Sequence, residues 1–176
     1  MNKSNIVLVG FMGTGKTTIG IELAKHLGWQ FVDTDAFIVD EAGMTIPEIF
    51  ARHGQSFFRD VEERVVQRVM NGSDQVISTG GGSVLRESNR EMMLRGGMVV
   101  ALSASEETIV QRVSKDTNRP LLADNPLENI RRLMKERKDA YQFAHISIQT
   151  DELTVTDVVE HILAKYKAWQ EDAHSS

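Results

Sequence analysis

The stretch that most limits what this chain can become is residues 5–18, NIVLVGFMGTGKTT. Its apolar run, Ile6-Val7-Leu8-Val9, predicts a short strand buried on both faces, as in a parallel sheet. Gly10, Gly13, Gly15, Lys16 and Thr17 then fit the pattern G-x-x-x-x-G-K-[ST]. Glycines let the backbone curl until consecutive N–H groups converge on one anion. Lys16 adds a cation able to reach the outer phosphates of a nucleotide, and Thr17 carries a hydroxyl suited to Mg²⁺. From Thr18 onward apolar residues recur at helical spacing, so a helix N-terminus faces the same anion with its partial positive charge. A polyphosphate site is therefore expected at Gly13, Thr14, Gly15, Lys16, Thr17 and Thr18. A glycine-rich turn arising by chance would not need the strand before it and the helix after it.

The rest of the chain has to supply a core and an acceptor for that chemistry. Its 176 residues suffice for one domain, and 41% apolar with 26% charged residues is ordinary for a globular protein. With no cysteine, disulfides and thiol chemistry are excluded. A net charge of −5 argues against a nucleic-acid partner. No apolar run reaches the length of a membrane span, and the first residues show no secretory pattern. A cytoplasmic monomer acting on small molecules is the expectation.

Taken in order, strands and helices alternate. Gly28 is a plausible cap for the first helix, and residues 29–32 read as a strand that ends in Asp33-Thr34-Asp35. Residues 36–41 and 45–52 look helical, the second with Thr45 as N-cap and Pro47 in its first turn. Gly54 breaks the chain before a longer helix over residues 57–70, with Val61, Val65, Val66 and Val69 as its apolar stripe. Residues 75–79 form the next strand and run directly into Gly80-Gly81-Gly82. A helix over 87–95, a strand over 98–102 and a helix from Ser105 to about residue 113 follow. Residues 114–125 are polar and long for a connection in a compact domain, a property of lids. A helix over 126–141, a strand over 145–149, a helix over 155–169 and a frayed tail over 170–176 complete the reading. The alternation predicts an α/β fold whose sheet is mostly parallel with helices on both faces. Two carboxylates and a glycine triplet then fall at strand C-termini, where such sheets hold their ligands.

In this arrangement the chain resembles the shikimate kinases, small P-loop kinases of the nucleoside-monophosphate-kinase type. The resemblance runs over nearly its whole length. It rests on G-F-M-G-T-G-K-T from Gly10, D-T-D from Asp33, F-R-D-V-E-E from Phe58, S-T-G-G-G from Ser78, N-R-P-L-L from Asn118 and E-R-K-D-A-Y from Glu136. The order and spacing of these motifs together are specific. They imply a three-layer α/β/α P-loop fold with a five-stranded sheet, a substrate-binding helical region at about 34–62 and a lid at about 114–125. They also imply ATP as co-substrate, Mg²⁺ as cofactor, shikimate as acceptor and a place in chorismate and aromatic amino-acid biosynthesis.

The resemblance assigns roles residue by residue. Arg59 and Arg137 match the family's carboxylate-binding arginines, for which a planar guanidinium is suited. On position alone, Arg59 reads equally well as a helix-surface ion pair with Glu62 or Glu63. Arg137 is likewise one of several basic residues, with Arg131, Arg132, Lys135 and Lys138 beside it. Asp35 matches the residue that holds the ring hydroxyls and is a candidate base; Asp33 matches the carboxylate that helps hold Mg²⁺. An Asx-turn or a helix cap is the structural alternative for Asp35. Gly81 would offer its N–H to the acceptor. Arg119 matches a lid arginine that reaches the phosphates, and Arg112 an arginine placed against adenine. The catalytic set implied is Lys16, Asp35 and Arg119. Where the family often has proline two residues after the second arginine, this chain has Asp139. The loop after the last strand, Gln149-Thr150-Asp151-Glu152-Leu153-Thr154, lacks the family's proline, and no adenine contact is assigned there. A gluconate kinase on the same scaffold, or a nucleotide-binding module without transfer activity, remains an alternative. The histidines show no metal-binding spacing and are expected to be structural.

Overall fold

The computed structural model describes residues 4–115 and 125–175. Its elements are β1 Asn5–Val9, α1 Lys16–Leu27, β2 Gln30–Asp33, α2 Thr34–Ala42, α3 Ile46–Met70, β3 Gln75–Ser78, a 3-10 turn at Ser83–Leu85, α4 Glu87–Gly96, β4 Met98–Ser103, α5 Glu106–Val113, α6 Pro126–Glu136, β5 Ile146–Gln149 and α7 Val155–His174. The five strands pair in the order β2-β3-β1-β4-β5, all parallel. Each of the expected strands is present, with ends shifted by a residue or so.

Alternation along the central strands builds the three layers. Val7 and Val9 point to one side, where they meet Ile77, Val99, Val61, Val65 and Met93 under α3 and α4. Ile6 and Leu8 point to the other, against Ile19 and Leu23 of α1 and Val158 and Ile162 of α7. β1 is fully buried on both faces, as its unbroken apolar run requires. On the α1–α7 side the layer closes with an aromatic stack. Trp29 meets Tyr166 edge-on at 5.4 Å, Tyr166 stacks on Trp169 at 5.8 Å, and His145 meets Trp169 at 5.7 Å.

Local chemistry sets most of the boundaries. Gly28 ends α1 in the left-handed region, at φ 67°. Thr45 accepts from the Glu48 N–H at 3.3 Å, and Ser105 and Thr154 cap α5 and α7 in the same way. Gly54 does break α3: its φ of 81° and ψ of 177° put a kink between the two helical stretches.

Two helix ends lie furthest from the sequence reading. α6 stops at Glu136 rather than near residue 141. Ala140, Gln142 and Ala144 bond carbonyls three residues back, tightening the chain into successive turns. These turns let Tyr141, Phe143 and Ala144 pack against the core, so burial overrides helical propensity. At the other end, residues 170–174 are helical rather than frayed. The Gln170 amide donates to the Tyr166 hydroxyl at 3.0 Å, so this turn is tied to the aromatic stack.

The expected lid contributes only its borders. Ser114 ends α5 and Asn125 begins α6. The motif N-R-P-L-L, and Arg119 with it, lies outside the described residues.

Candidate active site

The C-terminal edges of β1, β2 and β3 bring the first group together. The loop after β1 turns at Gly10, where any side chain would meet the Leu102 carbonyl at 2.3 Å, a backbone contact that only glycine allows. Gly15 caps α1 at φ 95°. Between them the Thr14 hydroxyl donates to the Phe11 carbonyl at 2.8 Å. The Lys16 ammonium folds back over its own loop, donating to the carbonyls of Gly10 at 2.7 Å and Phe11 at 2.9 Å. A cavity of about 240 Å³ lies in front of this loop and is lined by Lys16, Thr17, Thr18, Asp33, Asp35 and Gly81, among others. Strand register accounts for the carboxylates: Asp33 is level with Ser78 across the β2–β3 pair. Asp33 caps α2, accepting from the Asp35 N–H at 2.9 Å. The capping carboxylate is thus Asp33, and Asp35 sits in the first turn of α2 on the cavity wall.

Beside that cavity is a second group drawn from remote parts of the chain. Arg59 on α3 is buried and donates to Glu62 at 2.8 Å. The ion pair suggested by spacing exists, but it is interior rather than on the helix surface. Burial raises the Glu62 carboxyl above the usual range, against the pull of Arg59, and the Asp35 charge adds to the rise. Arg59 Nε is buried with no hydrogen-bond partner among the described residues. Arg59 Nη2 lies 2.2 Å from where a side chain on Gly82 would begin, and Arg137 Nη1 lies 3.5 Å from the same point on Gly81. The two arginines therefore press against consecutive glycines. Arg137, just past the end of α6, is buried and lies over the Phe11 ring at 5.8 Å. Its neighbours Arg131, Arg132, Lys135 and Lys138 are exposed, so burial selects the same arginine that the motif did.

Two further residues belong to this group: Glu62, which the sequence offered only as an ion-pair partner of Arg59, and Tyr141, which received no role. Glu62 is 1% exposed and faces Gly80 together with Asp35, both carboxylates within about 3 Å of the position a side chain there would take. Its place three residues after Arg59 on one helix was the available signal. Tyr141 donates its hydroxyl to the Gly81 carbonyl at 2.8 Å, pinning the glycine triplet to the turns after α6. Burial raises the Tyr141 hydroxyl above its ordinary pKa. Nothing in the sequence beyond its motif pointed to it.

A second cavity, of about 360 Å³, opens on the far side of the phosphate loop. Gly13, Thr14, Gly15 and Thr18 form one wall. Arg112 forms another, donating to the Gly13 carbonyl at 2.8 Å. Thr150, Leu153 and Val155, in and after the loop following β5, close it.

A phosphate loop on the central strand of a parallel β2-β3-β1-β4-β5 sheet, with an acidic and cationic pocket at the adjoining strand ends, is the architecture of a P-loop kinase. The comparisons agree. A family model described as shikimate kinase matches residues 12–167. A shikimate kinase from Thermodesulfovibrio yellowstonii is 46% identical over 93% of this chain and 95% of its own length. The solved shikimate kinase of Acinetobacter baumannii, in complex with shikimate, is 40% identical, with a TM-score of 0.87 over 92% of this chain and 91% of that one. The chain belongs to the shikimate kinase family. A gluconokinase from Sinorhizobium meliloti shares the fold alone, at 17% identity and a TM-score of 0.63 over 98% of this chain and 96% of its own. Among the described residues no helix is long and apolar enough to cross a membrane.

Proposed function

We propose that this chain transfers the γ-phosphoryl group of ATP to the 3-hydroxyl of shikimate, giving shikimate 3-phosphate and ADP. The observation that carries this reading is the pair of buried arginines pressed against Gly81 and Gly82, next to a carboxylate at the edge of the phosphate cavity. Two buried guanidiniums facing one buried partner carboxylate suit an acceptor that brings its own carboxylate. Arg59 Nε supplies a donor ready for it. A neutral acceptor would leave that charge unmatched.

In this reading the backbone of Gly13, Thr14 and Gly15 with Lys16, Thr17 and Thr18 holds the phosphates, and Arg112 borders the base end of the nucleotide. Arg59, Gly81 and Arg137 fix the acceptor, while Asp35 holds the reacting hydroxyl and takes its proton as the new P–O bond forms. Positioning dominates such a transfer, because the phosphoryl group needs little covalent help. Lys16 leaves its loop carbonyls to neutralise the transferring group, and Arg119 adds a second cation as the family resemblance implies. Thr17 and Asp33 line one cavity with hard oxygen donors and fit Mg²⁺. Among the described residues there is no cluster of three ligands that would hold a metal without phosphate and water. When bound, the ion would draw charge from the phosphate oxygens. We place the enzyme in the cytoplasm, as a monomer acting on small molecules without a nucleic-acid or membrane partner.

The test is ADP release, coupled to a reporter, over a panel of acceptors that includes shikimate and gluconate. Shikimate-dependent release with little on gluconate is expected; the reverse would overturn the assignment. Sedimentation of the same preparation tests the monomer.

A further inference from the structure

The nucleotide cavity has two walls that meet nowhere in sequence, and one side chain joins them. Asp151 follows β5 and belongs to the loop that carries Thr150 and Leu153. Its carboxylate accepts from the Ser105 N–H with both oxygens at 3.0 Å, from the Ser105 hydroxyl at 2.8 Å, from the Thr108 hydroxyl at 2.7 Å and from the Gln149 amide at 3.1 Å. Ser105 and Thr108 are the N-cap and first turn of α5. The same helix carries Arg112 one turn further on, and Arg112 reaches across to the Gly13 carbonyl. Thr150, the buried neighbour of Asp151, bonds Ser103 and reaches the Thr14 carbonyl at 3.4 Å. A continuous chain of contacts therefore runs from the loop through Asp151 and α5 to the phosphate loop.

We propose that Asp151 is a positioning residue for the nucleotide: by clasping the first turn of α5 to the loop after β5, it sets the gap between Arg112 and the Thr150–Leu153 wall. Ordinary helix capping would need one acceptor for one or two N–H groups. Asp151 instead gathers donors from two hydroxyls, a backbone N–H and an amide, and Ser105 already caps the helix with its own side chain at Thr108 N. The surplus serves the joint between the walls. Bonds from Thr108 and then from Ser105 hold the Asp151 carboxyl far below the usual range. The inference rests on the nucleotide reading of this cavity.

The test uses the full chain, with Asp151→Asn, Thr108→Val and Arg112→Ala made singly and Asp151→Asn combined with Arg112→Ala. Fluorescent N-methylanthraniloyl-ADP is titrated into each, and Michaelis constants are measured for ATP and shikimate. Asp151→Asn should weaken ADP analogue binding and raise the ATP constant about tenfold, an effect of about 1.4 kcal/mol. The shikimate constant should stay within about twofold. Thr108→Val, which removes one bond from the other side of the clasp, should move the same constants in the same direction by less. The double variant should be little worse than the more damaging single one, because both changes act through the placement of Arg112. Strictly additive losses, equal loss of both substrates, or unchanged ADP binding in Asp151→Asn would overturn the clasp. If wild type itself bound no ADP analogue, the nucleotide reading of the cavity would fall with it. Should Asp151→Asn fail to fold, Thr108→Val decides the matter: a raised ATP constant with the shikimate constant kept supports the clasp, and unchanged ADP analogue binding overturns it.

Discussion

The phosphate half of the site and the acceptor half are built in opposite ways. Eight consecutive residues after one strand, Gly10 to Thr17, make the phosphate loop, and in the proposed reading its ligands are mostly backbone N–H groups. The acceptor pocket is collected from α2, α3, the glycines after β3 and the turns after α6, and in the proposed reading its ligands are mostly side chains, with the Gly81 N–H beside them. The first kind of site is held by local conformation: Gly10 against the Leu102 carbonyl and Gly15 in the left-handed region. The second is held by tertiary contacts: the Arg59–Glu62 pair, the Tyr141–Gly81 bond and Arg137 over Phe11. A locally held site tolerates change elsewhere in the chain, whereas a collected site depends on every segment that feeds it.

The largest effect that would sharpen this contrast is Lys16→Ala. Turnover should fall by about 10²–10³-fold, the scale for removing one preorganised charge donor. Shikimate binding without nucleotide and the melting temperature should change little. Turnover within about tenfold of wild type, or equal loss of shikimate binding, would erase the division between the halves. Asp35→Asn comes next, because the amide keeps the size but cannot take a proton. A loss of about 10²-fold in turnover with both Michaelis constants nearly kept is the expected outcome, and near-normal steady-state rates would remove Asp35 from the chemistry. Arg59→Lys keeps charge but loses the planar fork that pairs with Glu62 and, in the proposed reading, with the acceptor. Calorimetric titration should show shikimate affinity reduced about tenfold, or about 1.4 kcal/mol, with ATP affinity unchanged; parallel losses for both ligands would mean that the arginine is only a brace.

The smallest expected effect lies outside both halves. His145 accepts the Val99 N–H on Nδ1 at 2.9 Å, and burial lowers its pKa from the ordinary 6.5. Below that pH the unfolded chain takes up a proton that the folded chain resists, so stability declines as acid is added through this window. His145→Asn offers an acceptor that does not titrate, and its denaturant midpoint should be flatter with pH while turnover stays the same. Identical slopes for the two proteins would show that the imidazole does not contribute.

The same contrast explains what could be read from sequence. The phosphate loop was legible because strand, loop and helix are contiguous and each residue has a stated geometric task. Alternation of strands and helices gave the layers, and Thr45, Ser105, Gly28 and Gly54 marked element ends through their own backbone preferences. Arg59 and Arg137 were legible only through resemblance: an arginine followed by two glutamates, or sitting in a basic run, looks the same whether it is solvated or buried. Tyr141 stayed silent, and Glu62 was visible only as an ion-pair partner of Arg59, because their places in the site exist only once α3, the glycine triplet and the turns after α6 meet. The ends of α6 and α7 were misplaced for a related reason, since burial of Tyr141 and Phe143 and the Gln170–Tyr166 bond are long-range or side-chain effects that helical periodicity does not contain.

The aromatic stack on the α1–α7 face has an optical consequence. Trp29 and Trp169 are the chain's two tryptophans, and both sit in that stack. Trp169 lies about 16 Å along α7 from Val158, the deepest point at which that helix touches the nucleotide cavity. Neither indole approaches the acceptor pocket on the other side of the sheet. Intrinsic emission is therefore a gauge of one layer: it will brighten, dim or shift when α7 peels from α1, and will stay level while shikimate comes and goes. A tryptophan placed at Phe57, half-exposed on the acceptor helix, would give the second layer a colour of its own.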